Sequence, residues 1–169
     1  PLIFCARGGW GAARLLERES PWEKGWLVGY SDISSILLSR LSNGMDGGIH
    51  GPLLTSLYRE PSWSQERLKA ILFGCSIPDL NGETWFKGIV RGPLVVTNLT
   101  VASHLLGSRH IPDLKGAILV LEDTGESIYR IDRMLTHWRL AGLLQQVGGI
   151  AFGAFNDCQP DDQTSGEST

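Results

Sequence analysis

Ser31 is the residue with the most chemistry to offer. It stands in Gly29-Tyr30-Ser31-Asp32, between an apolar run over 26–30 that reads as a buried strand and a helical stripe of Ile33, Ile36, Leu37 and Leu41. A serine on a sharp strand-to-helix turn projects its hydroxyl from the sheet edge, and the N–H that follows it is ready to stabilise an oxyanion. That is an arrangement for acyl transfer, although the full GxSxG pattern is not present. Ser31 or Asp32 would serve equally as an ordinary helix N-cap.

Two other places lie just after candidate strands, where ligands bind in parallel α/β sheets. The first is Arg7-Gly8-Gly9-Trp10-Gly11-Ala12-Ala13-Arg14, whose glycines let backbone approach a ligand and aim N–H groups at negative charge. It also fits a plain tight turn. A dinucleotide fingerprint is a rival reading, with Gly9-x-Gly11 opening a helix and Asp32 about 20 residues on, but Arg14 stands where a third small residue is needed. The second place is Glu122-Asp123, at the end of a candidate strand over 117–121. A carboxylate there would orient a histidine and stabilise the imidazolium formed during reaction. Capping of the next helix is the simpler role for Asp123.

Histidine is the natural base for a serine nucleophile. His104 and His137 fall in helical segments, His110 lies elsewhere, and His50, before Gly51-Pro52, is the best placed of the four near a site. The chain contains no HExxH, P-loop or calcium-loop pattern, so neither a metal nor a cofactor is expected.

These residues need a scaffold. Short apolar runs over 2–6, 26–30, 88–96, 117–121 and 149–152 alternate with helical segments, which predicts an α/β fold with a mostly parallel sheet flanked by helices. The clearest helix follows Glu126, with Ile128, Ile131, Leu135 and Trp138 on one stripe. Leu68, Ile71 and Leu72 mark another that ends near Gly74, and 43–48 reads as a flexible turn. The 21 glycines among 169 residues exceed the usual share of about 7%, which suits many tight turns.

A net charge of −3 with scattered Lys and Arg gives no field for nucleic acid. Cys5, Cys75 and Cys158 form neither a disulfide framework nor a zinc pattern, and a reducing, cytoplasmic setting is expected. No apolar run reaches the roughly 20 residues that span a bilayer, so no membrane partner is expected. Residues 1–155 read as one α/β domain and 156–169 as a polar linker or tail. The opening Pro1, directly followed by a strand pattern, and the acidic end suggest a chain cut at both ends.

Taken together, Ala6-Arg7-Gly8-Gly9-Trp10-Gly11-Ala12-Ala13-Arg14-Leu15-Leu16, Gly29-Tyr30-Ser31-Asp32-Ile33 and His50-Gly51-Pro52 resemble the L,D-carboxypeptidase family, which includes murein tetrapeptide carboxypeptidases and microcin C immunity peptidases. Asn98-Leu99-Thr100, Leu121-Glu122-Asp123, Tyr129-Arg130-Ile131-Asp132-Arg133-Met134-Leu135 and Gly153-Ala154-Phe155-Asn156-Asp157-Cys158 continue the likeness. The resemblance implies a Rossmann-like or flavodoxin-like nucleophile domain, a Ser-His-Glu triad and removal of a C-terminal D-residue from a murein peptide. It assigns Ser31 as nucleophile and Glu122 as acid, with the N–H of Asp32 and one near Gly9 as oxyanion hole. Arg7, Gly8 and Asn98 are substrate-binding candidates, and a homodimer is implied for the full-length protein. The family's triad histidine lies in a Gly-His motif of a second domain that this chain is expected to lack. Val96-Thr97 replaces a glycine pair that family members usually carry. A non-catalytic peptide-binding module and, further off, a dinucleotide-binding domain are the competing expectations.

Overall fold

The computed structural model describes residues 1–18 and 24–160. Most of the acidic tail expected from 156 onward therefore lies outside the described residues. The elements are β1 (Leu2–Phe4), β2 (Trp26–Gly29), α1 (Ser34–Ser42), β3 (Gly48–His50), α2 (Ser62–Leu72), β4 (Leu94–Asn98), α3 (Leu99–His104), β5 (Ile118–Thr124), α4 (Ile128–Leu140) and β6 (Gly149–Asn156), with short 3-10 segments between some of them. Every strand pair is parallel, as the alternation of strand and helix requires. The strands form two sheets of three, β1-β2-β3 and β4-β5-β6, where the sequence suggests a single one.

Helix α1 joins them. It follows β2, packs on β3, and also meets α3 and β4 of the other sheet. Its Leu38 enters a core with Leu16, Val95, Leu99, Ala102, Leu119, Leu121 and Trp138, so both halves bury apolar surface in common. A smaller cluster of Val28, Ile49 and Leu68 sits under α2. In α4, Ile131, Leu135 and Trp138 face the core as their spacing predicts, joined by Met134, whereas Ile128 is 50% exposed at the helix start.

Among the boundaries that differ from expectation, three have a local reason, while β1 ends early at Phe4 and β6 runs on to Asn156. The strand expected over 88–96 is only Leu94–Asn98. Pro93 has no N–H to give a ladder, and Val90 instead packs against Gly148 and Gly149. The strand expected over 117–121 runs on to Thr124, so Glu122 and Asp123 lie within it. A register irregularity between Leu121 and Asp123 opposite β6 accompanies that extension, and Leu121, Glu122 and Asp123 are all buried in succession. Beyond the turn at 43–47, Gly48–His50 pairs with β2 as a third strand too short to show a period.

Candidate active site

The site forms where β2, β3 and β5 end. Ser31 follows β2 directly and adopts φ 60, a left-handed conformation that a side chain with a Cβ takes only at a cost. With Asp32 it opens the 3-10 segment Ser31–Ile33 that runs into α1, where the first backbone donors have no intrahelical partner. Ser31 therefore occupies the sharp strand-to-helix turn that its sequence suggested.

The glycine turn lies against this elbow. A Cβ on Gly8 would stand 3.1 Å from Ser31 Cβ and 3.4 Å from its Oγ, so the absence of a side chain lets the two segments touch. Gly9 (φ 144) and Gly11 (φ 98) meet nothing within 4 Å at their Cβ positions, so it is backbone conformation that demands glycine there. The turn is tied down by Asp32, whose Oδ2 accepts the Ala12 N–H at 2.9 Å. Asp32 thus ties the glycine turn to the elbow. Arg7 is exposed and forms no ion pair among the described residues, so its guanidinium is available beside the turn.

Glu122 approaches from the other sheet. Its Oε2 accepts the Tyr30 hydroxyl at 2.6 Å, and its Oε1 lies 3.1 Å from His50 Nε2. Both partners come from the sheet that leads into Ser31: Tyr30 follows β2 and immediately precedes Ser31, and His50 ends β3 opposite Gly29. The His50 side chain is 7% exposed, and its Nδ1 lies 3.4 Å from Ser34 Oγ. The carboxylate can only accept, so Nε2 carries a proton; in the neutral ring Nδ1 then accepts from Ser34. Tyr30 and His50 also pack edge to face, ring centroids 5.2 Å apart.

The electrostatics follow from these contacts. Burial works to raise the Glu122 pKa, but hydrogen bonds from His50, Tyr30 and the Asn98 amide outweigh it and hold the carboxyl below its ordinary value. Tyr30 moves the opposite way. Its burial, with the carboxylate it donates to, pushes the phenol up to about 12.

Asp123 and Asn98 form a separate structural knot. Asp123 accepts from Asn98 Nδ2 (3.0 Å), from the N–H and hydroxyl of Thr100 (2.9 and 2.8 Å) and from the Thr124 N–H (2.9 Å). It thus braces the start of α3 rather than capping α4. Asn98 Oδ1 accepts the Val101 N–H at 2.9 Å as the α3 N-cap, so both ends of this amide are engaged within the protein. Sequence reasoning missed Tyr30 as a partner of Glu122 and Ser34 as a partner of His50; their only signal was closeness in sequence to Ser31. His104 and His137 lie in α3 and α4, and His110 Nδ1 is 2.9 Å from Ser39 Oγ. Among the described residues, no group of three His, Cys, Asp or Glu side chains could hold a metal ion, and no helix is long and apolar enough to cross a membrane.

Comparison with known proteins matches the chain to one family. The LD-carboxypeptidase N-terminal domain matches residues 1–51, and the LD-carboxypeptidase C-terminal domain matches residues 91–169. The chain belongs to the LD-carboxypeptidase family. The two matched regions fall one on each sheet, with Ser31 in the first and Glu122 in the second. A Synechocystis sp. relative is 49% identical over 161 residues, 93% of this chain and 53% of its own length. The murein tetrapeptide carboxypeptidase of Pseudomonas aeruginosa is 36% identical over 183 residues, 92% of this chain and 56% of its own. The chain thus spans about half the length of the curated relatives it matches. Among solved structures, the microcin C7 self immunity protein MccF superposes with a TM-score of 0.74 at 20% identity, over 97% of this chain and 60% of that one, which shows the shared fold.

Proposed function

We propose that this chain supplies the nucleophile and the acid of a serine-type L,D-carboxypeptidase acting on the amide before a C-terminal D-residue of a murein peptide. The observation that carries the reading is Ser31 at φ 60 on a strand-to-helix elbow, with a glycine turn packed against it and a buried, ionised Glu122 close behind. Ser31 Oγ attacks the amide carbonyl on the L-centre of a diamino acid, and a histidine takes its proton. Glu122 holds that histidine in the right tautomer. The N–H of Asp32 and one from the turn near Gly9 receive the oxyanion; losing one such donor typically costs about 100- to 1,000-fold in rate. The histidine then protonates the departing D-amino acid, and water hydrolyses the acyl-enzyme. Arg7 would take the free carboxylate of the substrate, with Gly8 leaving room beside it.

His50 is not that base. Its Nε2 proton faces Glu122 and its Nδ1 faces Ser34, which leaves no lone pair for Ser31. This engagement favours one alternative for the 169-residue chain taken by itself, that it binds a peptide without hydrolysing it. Release of D-alanine from murein tetrapeptide is the assay. The protein encoded by the complete gene should release it and lose the activity on Ser31→Ala, whereas turnover by the 169-residue chain alone would make His50 the base and overturn this assignment. A cytoplasmic setting fits three free thiols, and assembly as a homodimer completes the reading.

A further inference from the structure

The Glu122 carboxylate is the point at which the two sheets meet around the nucleophile. It belongs to β5, yet each of its oxygens is held by a residue of the other sheet: Tyr30 Oη at 2.6 Å on Oε2 and His50 Nε2 at 3.1 Å on Oε1. Tyr30 Oη also lies 3.3 Å from Thr124 Oγ1. Behind His50, Ser34 Oγ contacts Nδ1 and accepts the Asn98 N–H at 3.3 Å, which closes a chain back to β4. Glu122, Asn98 and Ser34 are buried, Ser34 fully, while Tyr30 and His50 are partly buried and Thr124 is exposed.

We propose that Tyr30 and His50 are positioning residues that clamp Glu122 across the two sheets, fixing its orientation and keeping it ionised for whichever base it supports. The assignment rests on the reading of Glu122 as the catalytic acid. Each carboxylate oxygen has two lone-pair directions, so one donor on each still leaves room for an incoming imidazole N–H. A carboxylate with no such clamp would turn about its side-chain torsions and lose the fixed geometry on which the base depends. The clamp also ties catalysis to the packing of the two sheets, because Tyr30 is covalently next to Ser31. The groups facing Glu122 are His50, Tyr30 and the Asn98 amide, with Asp123 beside it in the strand and occupied by Asn98, Thr100 and Thr124. No lysine or arginine joins them among the described residues, which leaves the clamp as the means of holding the charge.

The test is to follow the Glu122 side-chain carboxyl by carbon-13 NMR during a pH titration of the 169-residue chain. Glu122 should titrate below an ordinary glutamate. Tyr30→Phe and His50→Ala should each move its midpoint upward, and His50→Gln, which returns a donor near Nε2, should recover part of the loss. A midpoint unmoved by both Tyr30→Phe and His50→Ala in folded protein overturns the clamp. Should either variant fail to fold, nitrogen-15 shifts of His50 in the unmodified chain decide the matter: a neutral ring protonated on Nε2 supports the clamp, and one protonated on Nδ1 overturns it. In the gene-length protein, Tyr30→Phe should lower kcat on murein tetrapeptide on the order of 10- to 100-fold with KM little changed, and raise the acidic limb of the pH profile. An unmodified protein that shows the clamp by NMR and yet hydrolyses no peptide counts against the peptidase reading alone.

Discussion

Replacing Ser31 by glycine and by alanine separates the strain at the elbow from its chemistry. Both changes remove the hydroxyl. Only glycine relieves the backbone, because a residue with a Cβ held at φ 60 bears about 1–2 kcal/mol of steric cost. Glycine returns about 0.5–1 kcal/mol of that through the greater freedom of the unfolded chain. Ser31→Gly should therefore exceed Ser31→Ala in stability by roughly 0.5–1 kcal/mol. For a chain of 169 residues, 1 kcal/mol corresponds to about 2–4 °C in Tm, so the melting curves should differ by roughly 1–4 °C. Calorimetry and urea melts on the two variants at neutral pH give the comparison. If Ser31→Ala equals or exceeds Ser31→Gly, the elbow stores no strain and the argument from φ fails.

Three further outcomes follow from the same contacts. Tyr30 has its phenol raised from 10.0 to about 12, so its contribution to stability is fully present below pH 10 and disappears as pH rises through about 12; the advantage of the native chain over Tyr30→Phe in Tm should shrink across that interval, and parallel curves would refute it. Glu122 shifts downward from 4.5, so its stabilisation is present above that pH and fades as pH falls through its folded value; Glu122→Gln should flatten the acid side of the stability profile, measured by urea melts below pH 5. A Cβ on Gly29 would lie 2.3 Å from Ile33 Cγ2, so Gly29→Ala should destabilise the chain by about 1–3 kcal/mol as Ile33 is forced aside, and an unchanged midpoint in urea would show that the turn yields freely.

What the sequence disclosed was whatever a local pattern can encode. Trp26-Leu27-Val28 is an apolar run, Leu135 and Trp138 repeat at helical spacing, and glycines gather at 8, 9 and 11, so the second strand, the last helix and the glycine turn were all legible. Long-range closure was not. The bonds from Tyr30 and His50 to Glu122 span 92 and 72 residues, and no property of a tyrosine or a histidine announces which carboxylate it will meet. The split into two sheets was hidden for a related reason, since β4 pairs only with β5 and strand order is a tertiary property. Gly48–His50 escaped because three residues carry no period, and the end of β5 was misplaced because Glu122 and Asp123 look like loop residues until their hydrogen bonds are counted.

The account stands or falls on Ser31 as the attacking atom. The most direct measurement is to mix the gene-length protein with murein tetrapeptide, quench within the first turnovers and locate any covalent adduct by peptide mass spectrometry. The account predicts an acyl group on the peptide that contains Ser31, with the mass of the substrate acyl portion after loss of its D-residue, and no adduct or D-alanine release in Ser31→Ala. Release of D-alanine that survives Ser31→Ala, or an acyl group on another residue, would contradict it.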